Sequence, residues 1–511
     1  MAQLRSIGQA RIVVFCTFRG RATLSNQSQI EAPTPAPTPI GFSAEMLKES
    51  LVQDTAPPPP PEANQPVTYR QILRNRNFRL LWMGQAVTTF GSFFTRVAIP
   101  IYVYTLTGSY GHLGLSFFVT NLPQLLFGLF AGALVDRWDR RRTMISTDLV
   151  NFVLLCSLVA VIVLPDPVSV KLGAIYAITF CSAILRELFN PARIAIFTEV
   201  VDEKSLLTAN SLDQSSQTLG ELLSYPVAAY LLLKLGPALA FGVDAASFLL
   251  SALLIWGVKV KKAPVAETAE TSSIWRDMRA GLTAVNKSSL LRKIVLLSFV
   301  VPMIFMLLGA LTLPFAVEKL GSTAEVGFPA LEGALALGVT VGMLALGYWG
   351  QNIPRWKLLA MGLFGFGVCM ILVGLVPRIG AALGIEASTL AFDLDPTSPE
   401  NPWTVLLMMA IPLVFLQGAT NSLLFTCIRT VMQEEAPRAM IGRVASVVGV
   451  ASGVGYSIGA LMTKIGEGRA DTVISIIGAI LLSIGIFSFW WLRVPPRTSA
   501  PVAPPMPEQS F

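Results

Sequence analysis

Residues 290–317 read LLRKIVLLSFVVPMIFMLLGALTLPFAV, and no charged side chain falls between Lys293 and Glu318. A helix crosses the hydrocarbon core of a bilayer with roughly 20 apolar residues. This stretch meets that requirement by itself. Six comparable segments precede it, at about 80–106, 112–135, 144–164, 170–196, 209–233 and 237–258. Five follow, at about 327–350, 356–377, 403–426, 441–464 and 472–492. The expected fold is therefore all-α, a polytopic membrane protein with twelve transmembrane helices. Composition agrees: of 511 residues 53% are hydrophobic and 14% charged, against about 25% charged in an average soluble protein. A water-soluble enzyme is excluded on that ground.

The two sets of six spans look like repeats. Arg193 lies 115 residues after Phe78, and Arg429 lies 139 after Leu290. The excess matches an extra loop at 379–402, and both arginines lie at the end of the fourth span of their half. Two six-helix halves related as pseudo-repeats is the simplest arrangement. The expected organisation is a Pro-rich tail at 1–69, a first half at 70–258, a linker at 259–289, a second half at 290–493 and a Pro-rich tail at 494–511. The tails, with the proline run Pro57 to Pro61, cannot bury a core.

Lys and Arg stay on the cytoplasmic side of short loops. With the N-terminus inside, 25 of them fall on that side, including Arg70 to Arg79, the cluster Arg137 to Arg142, six in the linker and Arg292 and Lys293 just after it. The other side holds Lys171, Lys234, Lys319, Arg378, Lys464 and Arg469. This asymmetry places both termini in the cytoplasm. It also accounts for the net charge of +7 without a nucleic-acid partner. Arg5, Arg11, Arg19 and Arg21, with no acid before Glu31, have the character of a transit peptide, which keeps an organelle envelope open beside the cell (inner) membrane. An early start codon would leave the same composition.

The five cysteines form no CxxC pair and the chain has one histidine, His112. No metal site and no cofactor are expected. The chain contains no G-x-x-x-x-G-K-[ST] loop, so it carries no ATP motor, and coupling to an ion gradient or passive exchange remains.

The loop after span two reads Gly132-Ala-Leu134-Val-Asp136-Arg137-Trp-Asp139-Arg140-Arg141-Arg142. Gly132 lets helices approach, Asp136 suits a helix N-terminus, and arginines make forks that pair with carboxylates. Such contacts would latch the halves on the cytoplasmic side, with Asp148, one turn into span three, as a partner for the arginines. The loop resembles the G-x-L-x-D-R-x-G-R-R/K signature of the major facilitator superfamily, with Asp139 in place of the usual glycine. The equivalent second-half loop, Gly347 to Lys357, lacks the acid, so the latch is expected to be asymmetric. Phe189-Asn190-Pro191-Ala192-Arg193, Ala209-Asn210-Ser211-Leu212 and Ala240-Phe241-Gly-Val-Asp244 are similar to the twelve-span exporter branch that includes macrolide efflux pumps and the enterobactin exporter. That resemblance implies export. One departure bears on proton coupling: where antiporters carry G-x-x-x-G-P-x-x-G-G, this chain has Glu221-x-x-x-Tyr225-Pro226-x-x-Ala229-Tyr230.

Ionisable groups inside a bilayer cost roughly 2.5–3.5 kcal/mol each and usually face a cavity or a partner. Span five places Asp213, Gln217, Glu221 and Tyr225 at i+4 steps, one polar stripe. Span one gives Gln85, Thr89, Ser92 and Arg96, and span four gives Ser182, Arg186, Asn190 and Arg193 with Glu187 beside them. Three polar faces imply a shared wet cavity, with Arg96, Arg186 and Glu221 at its heart and Glu221 as the candidate proton-coupling residue. Span ten adds Gln417, Thr420 and Asn421. Asp244 and Glu332 lie near span ends, where snorkelling explains them as well as function does. In span eleven, Gly449-x-x-x-Gly453 and Gly455-x-x-x-Gly459 are close-packing signals between membrane helices.

The expected function is secondary transport of a small amphipathic solute by a monomer, most simply efflux, with protons as a candidate coupling ion. An uptake carrier or lipid flippase would use the same scaffold. A membrane enzyme would need a nucleophile or metal constellation that the chain lacks, and a receptor or scaffold would not explain three convergent polar faces.

Overall fold

The computed structural model describes residues 68–135, 138–202, 205–259, 274–349, 353–386, 402–436 and 440–491. The expected tails, the linker stretch 260–273 and the loop core 387–401 lie outside these residues. Among the described residues there are twelve helices of 20 residues or more and no strand. They are α1 (Arg76–Thr107), α2 (Tyr110–Val135), α3 (Arg140–Val163), α4 (Val168–Val200), α5 (Leu206–Leu235) and α6 (Pro237–Trp256), then α7 (Ser289–Pro314), α8 (Ala324–Trp349), α9 (Arg355–Ala382), α10 (Val405–Glu435), α11 (Ile441–Leu461) and α12 (Ala470–Trp491). Among the described residues, ten of these helices are long and apolar enough to cross a membrane by length and composition. Helix α5 carries Asp213, Glu221 and Lys234, so it is less apolar than its neighbours.

Local chemistry sets the helix ends. Asn75 accepts from the backbone N–H groups of Asn77 and Phe78 and so caps α1. Gly108, at φ 58°, ends the helix in the left-handed region. Asp139 caps α3 by accepting from the Arg142 N–H, which explains an acid where the family signature has glycine. Ser288 caps α7 and Thr404 caps α10 in the same way. Prolines 100, 123, 191, 226, 302, 329, 377 and 412 lie inside membrane helices, where neighbouring helices make such breaks tolerable. A π-helical turn, Phe315–Lys319, extends α7.

Helix pairing repeats between the halves. In the first, α1 packs on α5 and α6, α2 on α4, and α3 on α4 and α6. In the second, α7 packs on α11, α8 on α10, and α9 on α10 and α12. The halves meet along α2 with α11 and along α5 with α8, pairs that exchange when the halves are exchanged. Gly455 and Gly459 bring α11 onto α7, where a Cβ would run into the carbonyls of Phe299 and Met303. Gly453 faces Leu125 of α2, whereas Gly449 meets nothing within 4 Å. Three of the four glycines therefore serve close packing.

Helices alternate in direction, so the linker helix Ile274–Lys287 and the starts of the odd-numbered helices share one face, called the linker face below. At that end of the first half, Phe78, Leu81, Met144, Ile196 and Ile255 form a buried apolar cluster.

Candidate functional site

Between the halves lies a cavity of about 160 Å³. Arg96 of α1, Tyr225 of α5, Glu332 of α8 and Gln417 of α10 supply its polar wall, with Thr312 of α7. Phe117, Phe305, Phe315, Phe328, Met306 and Met370 supply much of its apolar wall. The Arg96 guanidinium lies 4.6 Å from the centre of the Phe93 ring, and Phe93 packs beside Tyr225 with ring centroids 6.5 Å apart. Stacking on an aromatic face holds an arginine without neutralising it. Arg96 is also within electrostatic reach of Glu221 and Arg186, and Glu221 of Glu332. Neither Arg96, Glu221 nor Glu332 is in a direct ion pair among the described residues. The charges stay available to a solute.

The structure thus brings together Arg96, Tyr225 and Gln417 on the cavity wall, with Glu221, Arg186 and Glu187 in the surrounding charge cluster. Arg186 donates to the Thr120 carbonyl at 3.4 Å. Asn421 is buried, and its Oδ1 has no hydrogen-bond partner. Asp213 and Gln217 do not line the cavity, which corrects the single-stripe expectation. Asp213 is in an ion pair with Arg193 of α4 at 2.9 Å and accepts from Gln217 at 2.9 Å. The reason is length: twelve residues of helix from Asp213 to Tyr225 span about 18 Å, so the stripe serves a helix–helix staple at one end and the cavity at the other.

Span one divides similarly. Ser92 donates to Asp244 of α6 at 3.2 Å, while Arg96, one turn on, enters the cavity. Asp244 is 1% exposed, so it does not snorkel. Glu332 likewise lines the cavity rather than snorkelling at a span end. Its signal is that it is a lone acid more than two turns inside α8.

The arginine loop also works differently from expectation. Asp136 and Arg137 lie outside the described residues, and Gly132 falls in the last turn of α2. Arg140 is hydrogen-bonded to Glu199 of α4, and Arg141 donates to the carbonyls of Ile255 and Trp256 at the C-terminus of α6. A cation there also meets the negative end of the helix dipole. Arg140 and Arg141 thus staple α3 within the first half rather than latching the two halves. Asp148 pairs with none of the described arginines; it is 1% exposed and faces Ser251 of α6.

A latch between halves exists on the opposite face. One turn beyond Phe315, Glu318 accepts from Tyr104 of α1 at 2.6 Å and from Tyr110 of α2 at 2.9 Å. Nearby, Gly114 of α2 lies so close to Ala460 and Thr463 that a Cβ would clash.

Twelve paired helices around a central amphipathic cavity define a membrane transporter rather than an enzyme. The chain belongs to the Major Facilitator Superfamily, which it matches over residues 81–460. It is 23% identical over 390 residues to macrolide efflux protein A of Streptococcus pyogenes, covering 76% of this chain and 88% of that protein. It is 24% identical over 444 residues to an enterobactin exporter of Escherichia coli, covering 83% and 95%. The fold is similar to the nucleoside transporter NupG, with a TM-score of 0.61 at 12% identity over 81% of this chain and all of that one. It is also similar to an auto-inhibited peptide transporter of the POT family, with a TM-score of 0.62 at 14% identity over 82% and 97%.

Proposed function

We propose that this transporter exports a small amphipathic solute by alternating access, as a monomer in the cell (inner) membrane with its termini and linker in the cytoplasm. The observation that carries the reading is the cavity. A solute would set its apolar body against Phe117, Phe305, Phe328 and Met370, and its polar groups against Arg96, Glu332 and Gln417. Export is supported by the names of the two relatives, and sidedness by the crowding of Lys and Arg on the linker face.

Proton coupling would run through Glu221. A carboxylate within reach of Arg96 changes its hold on a proton when a solute competes for that arginine. Glu221→Gln should then abolish dependence on a pH gradient while preserving exchange, and Glu187 and Glu332 are next in line.

The test is reconstitution of the full chain in oriented vesicles, with a panel of amphipathic solutes assayed with and without a proton gradient. Solute movement from the linker face to the opposite face supports export. Movement only the other way replaces it with uptake, and lipid scrambling without any solute movement replaces it with flipping.

A further inference from the structure

Helices α5 and α6 both pack on α1, and a crevice of about 510 Å³ lies between these three helices, sharing no lining residue with the central cavity. Ala86 and Phe90 of α1, Gly220 of α5, and Ala246 and Leu250 of α6 form much of its wall. At Gly91 a Cβ would run into Ser247, so α1 and α6 are in close contact and the crevice opens between α5 and α6. Ala246 and Leu250 are exposed there, as are Leu219 and Leu223 on neighbouring turns of α5. Such an exposed apolar face on two membrane helices meets lipid. Two hydroxyls reach the crevice and both are engaged. Ser216 accepts from Trp82 Nε1 at 2.9 Å and donates to the Leu212 carbonyl at 2.7 Å. Ser247 donates to the Asp244 carbonyl at 2.7 Å. The interior therefore suits an apolar occupant.

The end toward the linker face is cationic. Arg79, Met83, Ala86 and Phe90 follow one another at steps of four, three and four, which puts them on one face of α1. Arg79 is exposed in the first turn of α1, donates to the Leu73 carbonyl at 3.4 Å, and is in no ion pair among the described residues. Gly257 lies against Leu80, so the exposed Trp256 stands level with Arg79, and tryptophan gathers at the membrane–water boundary. Lys259 is a second exposed cation at this end, its backbone tied to α1 by two hydrogen bonds with Asn77.

We propose that the crevice binds one acyl chain of an anionic phospholipid whose phosphate rests on Arg79. From Arg79 to Ala86 is about 10 Å of helix, and the exposed Met83 lies between them. A chain leaving a phosphate at the boundary would cross Met83 and enter at Ala86. The guanidinium fork matches phosphate oxygens, and a cation at the membrane surface favours an anionic lipid. A chain lodged there fills the gap between α5 and α6 and so stabilises the packed first half. The site does not depend on what is transported or in which direction.

The experiment is titration of the delipidated full-length protein in detergent with phosphatidylglycerol or phosphatidylcholine of the same chains. Thermal unfolding reads binding, and native mass spectrometry counts the lipids retained. The parent should show a saturable rise in unfolding midpoint, hold one phosphatidylglycerol, and bind it about fivefold more tightly than phosphatidylcholine. Ala246→Phe, which fills the crevice, should lose both the retained lipid and the rise. Gly220→Leu fills it from the other wall and should do the same, so the test survives if one variant fails to fold. Arg79→Gln should keep the response but lose the preference for the anionic lipid. Equal responses in the parent and the filled variants overturn the proposal. So does a parent that binds the two lipids alike, or one whose lipid is displaced by the transported solute.

Discussion

Tyr110 of α2 donates its hydroxyl to Glu318 at 2.9 Å, so a residue of the first half is held by a carboxylate of the second. Tyr104 donates to the other oxygen of the same group at 2.6 Å. Both oxygens of one side chain are thereby spent on closing the face opposite the linker. Any cycle that opens that face must break these bonds.

Hydrogen bonds to a charged acceptor are worth about 1.5–3 kcal/mol each. Replacing both tyrosines by phenylalanine should therefore shift the equilibrium toward opening of that face by tenfold or more. Spin-label distances between the opposite-face ends of α1 and α7 would read it, lengthening in the double variant. An unchanged distance distribution would mean the clasp does not set the conformational balance.

The Arg193–Asp213 pair is partly buried, with both side chains mostly shielded. Asp213→Asn should destabilise the first half by about 1–2 kcal/mol, seen as a lower unfolding midpoint. In a double-mutant cycle with Arg193→Gln the two effects should be less than additive. Additive losses would show that the pair contributes nothing as a pair.

Arg141 ties α3 to the carbonyl end of α6. Arg141→Ala should cost about 1–2 kcal/mol, and Arg141→Lys should recover only part, because an ammonium keeps the charge opposite the helix end but not the planar fork. Equal unfolding midpoints for the lysine variant and the parent would show that charge alone matters.

Gly459 sits against the Met303 carbonyl of α7. Gly459→Leu should force α11 away from α7 and reduce the yield of folded protein, whereas the same change at Gly449, which meets nothing within 4 Å, should be tolerated. Size-exclusion profiles of the two variants in detergent decide this.

Much of the architecture was legible in the chain because bilayer thickness dictates helix length, and the run from Ile294 to Val317 admits no other reading. The i+4 spacing of α5 also foretold Tyr225 at the cavity. It could not say that Asp213, on the same stripe, would be taken by Arg193, because a one-dimensional pattern carries no information on what lies across from each turn. Glu332 and Asp244 were obscured for a related reason. A lone acid near a span end reads as a snorkelling group, and only the packed positions of α8 and α6 turn these two inward. The arginines of the α2–α3 loop had the chemistry to latch two halves, yet the α6 C-terminus lies nearer, and Arg141 goes there.

Whether the transported solute rests between Arg96 and Gln417 is read most directly by substrate protection. A cysteine placed at Gln417, in a background with the native cysteines replaced, would be alkylated by a polar maleimide with and without a solute that the vesicle assay shows to be moved. Saturating solute should slow alkylation at least tenfold, and Arg96→Gln should raise the half-protecting concentration by a similar factor. Alkylation at the same rate with saturating solute, in a protein that still transports it, would place the solute elsewhere and contradict this account.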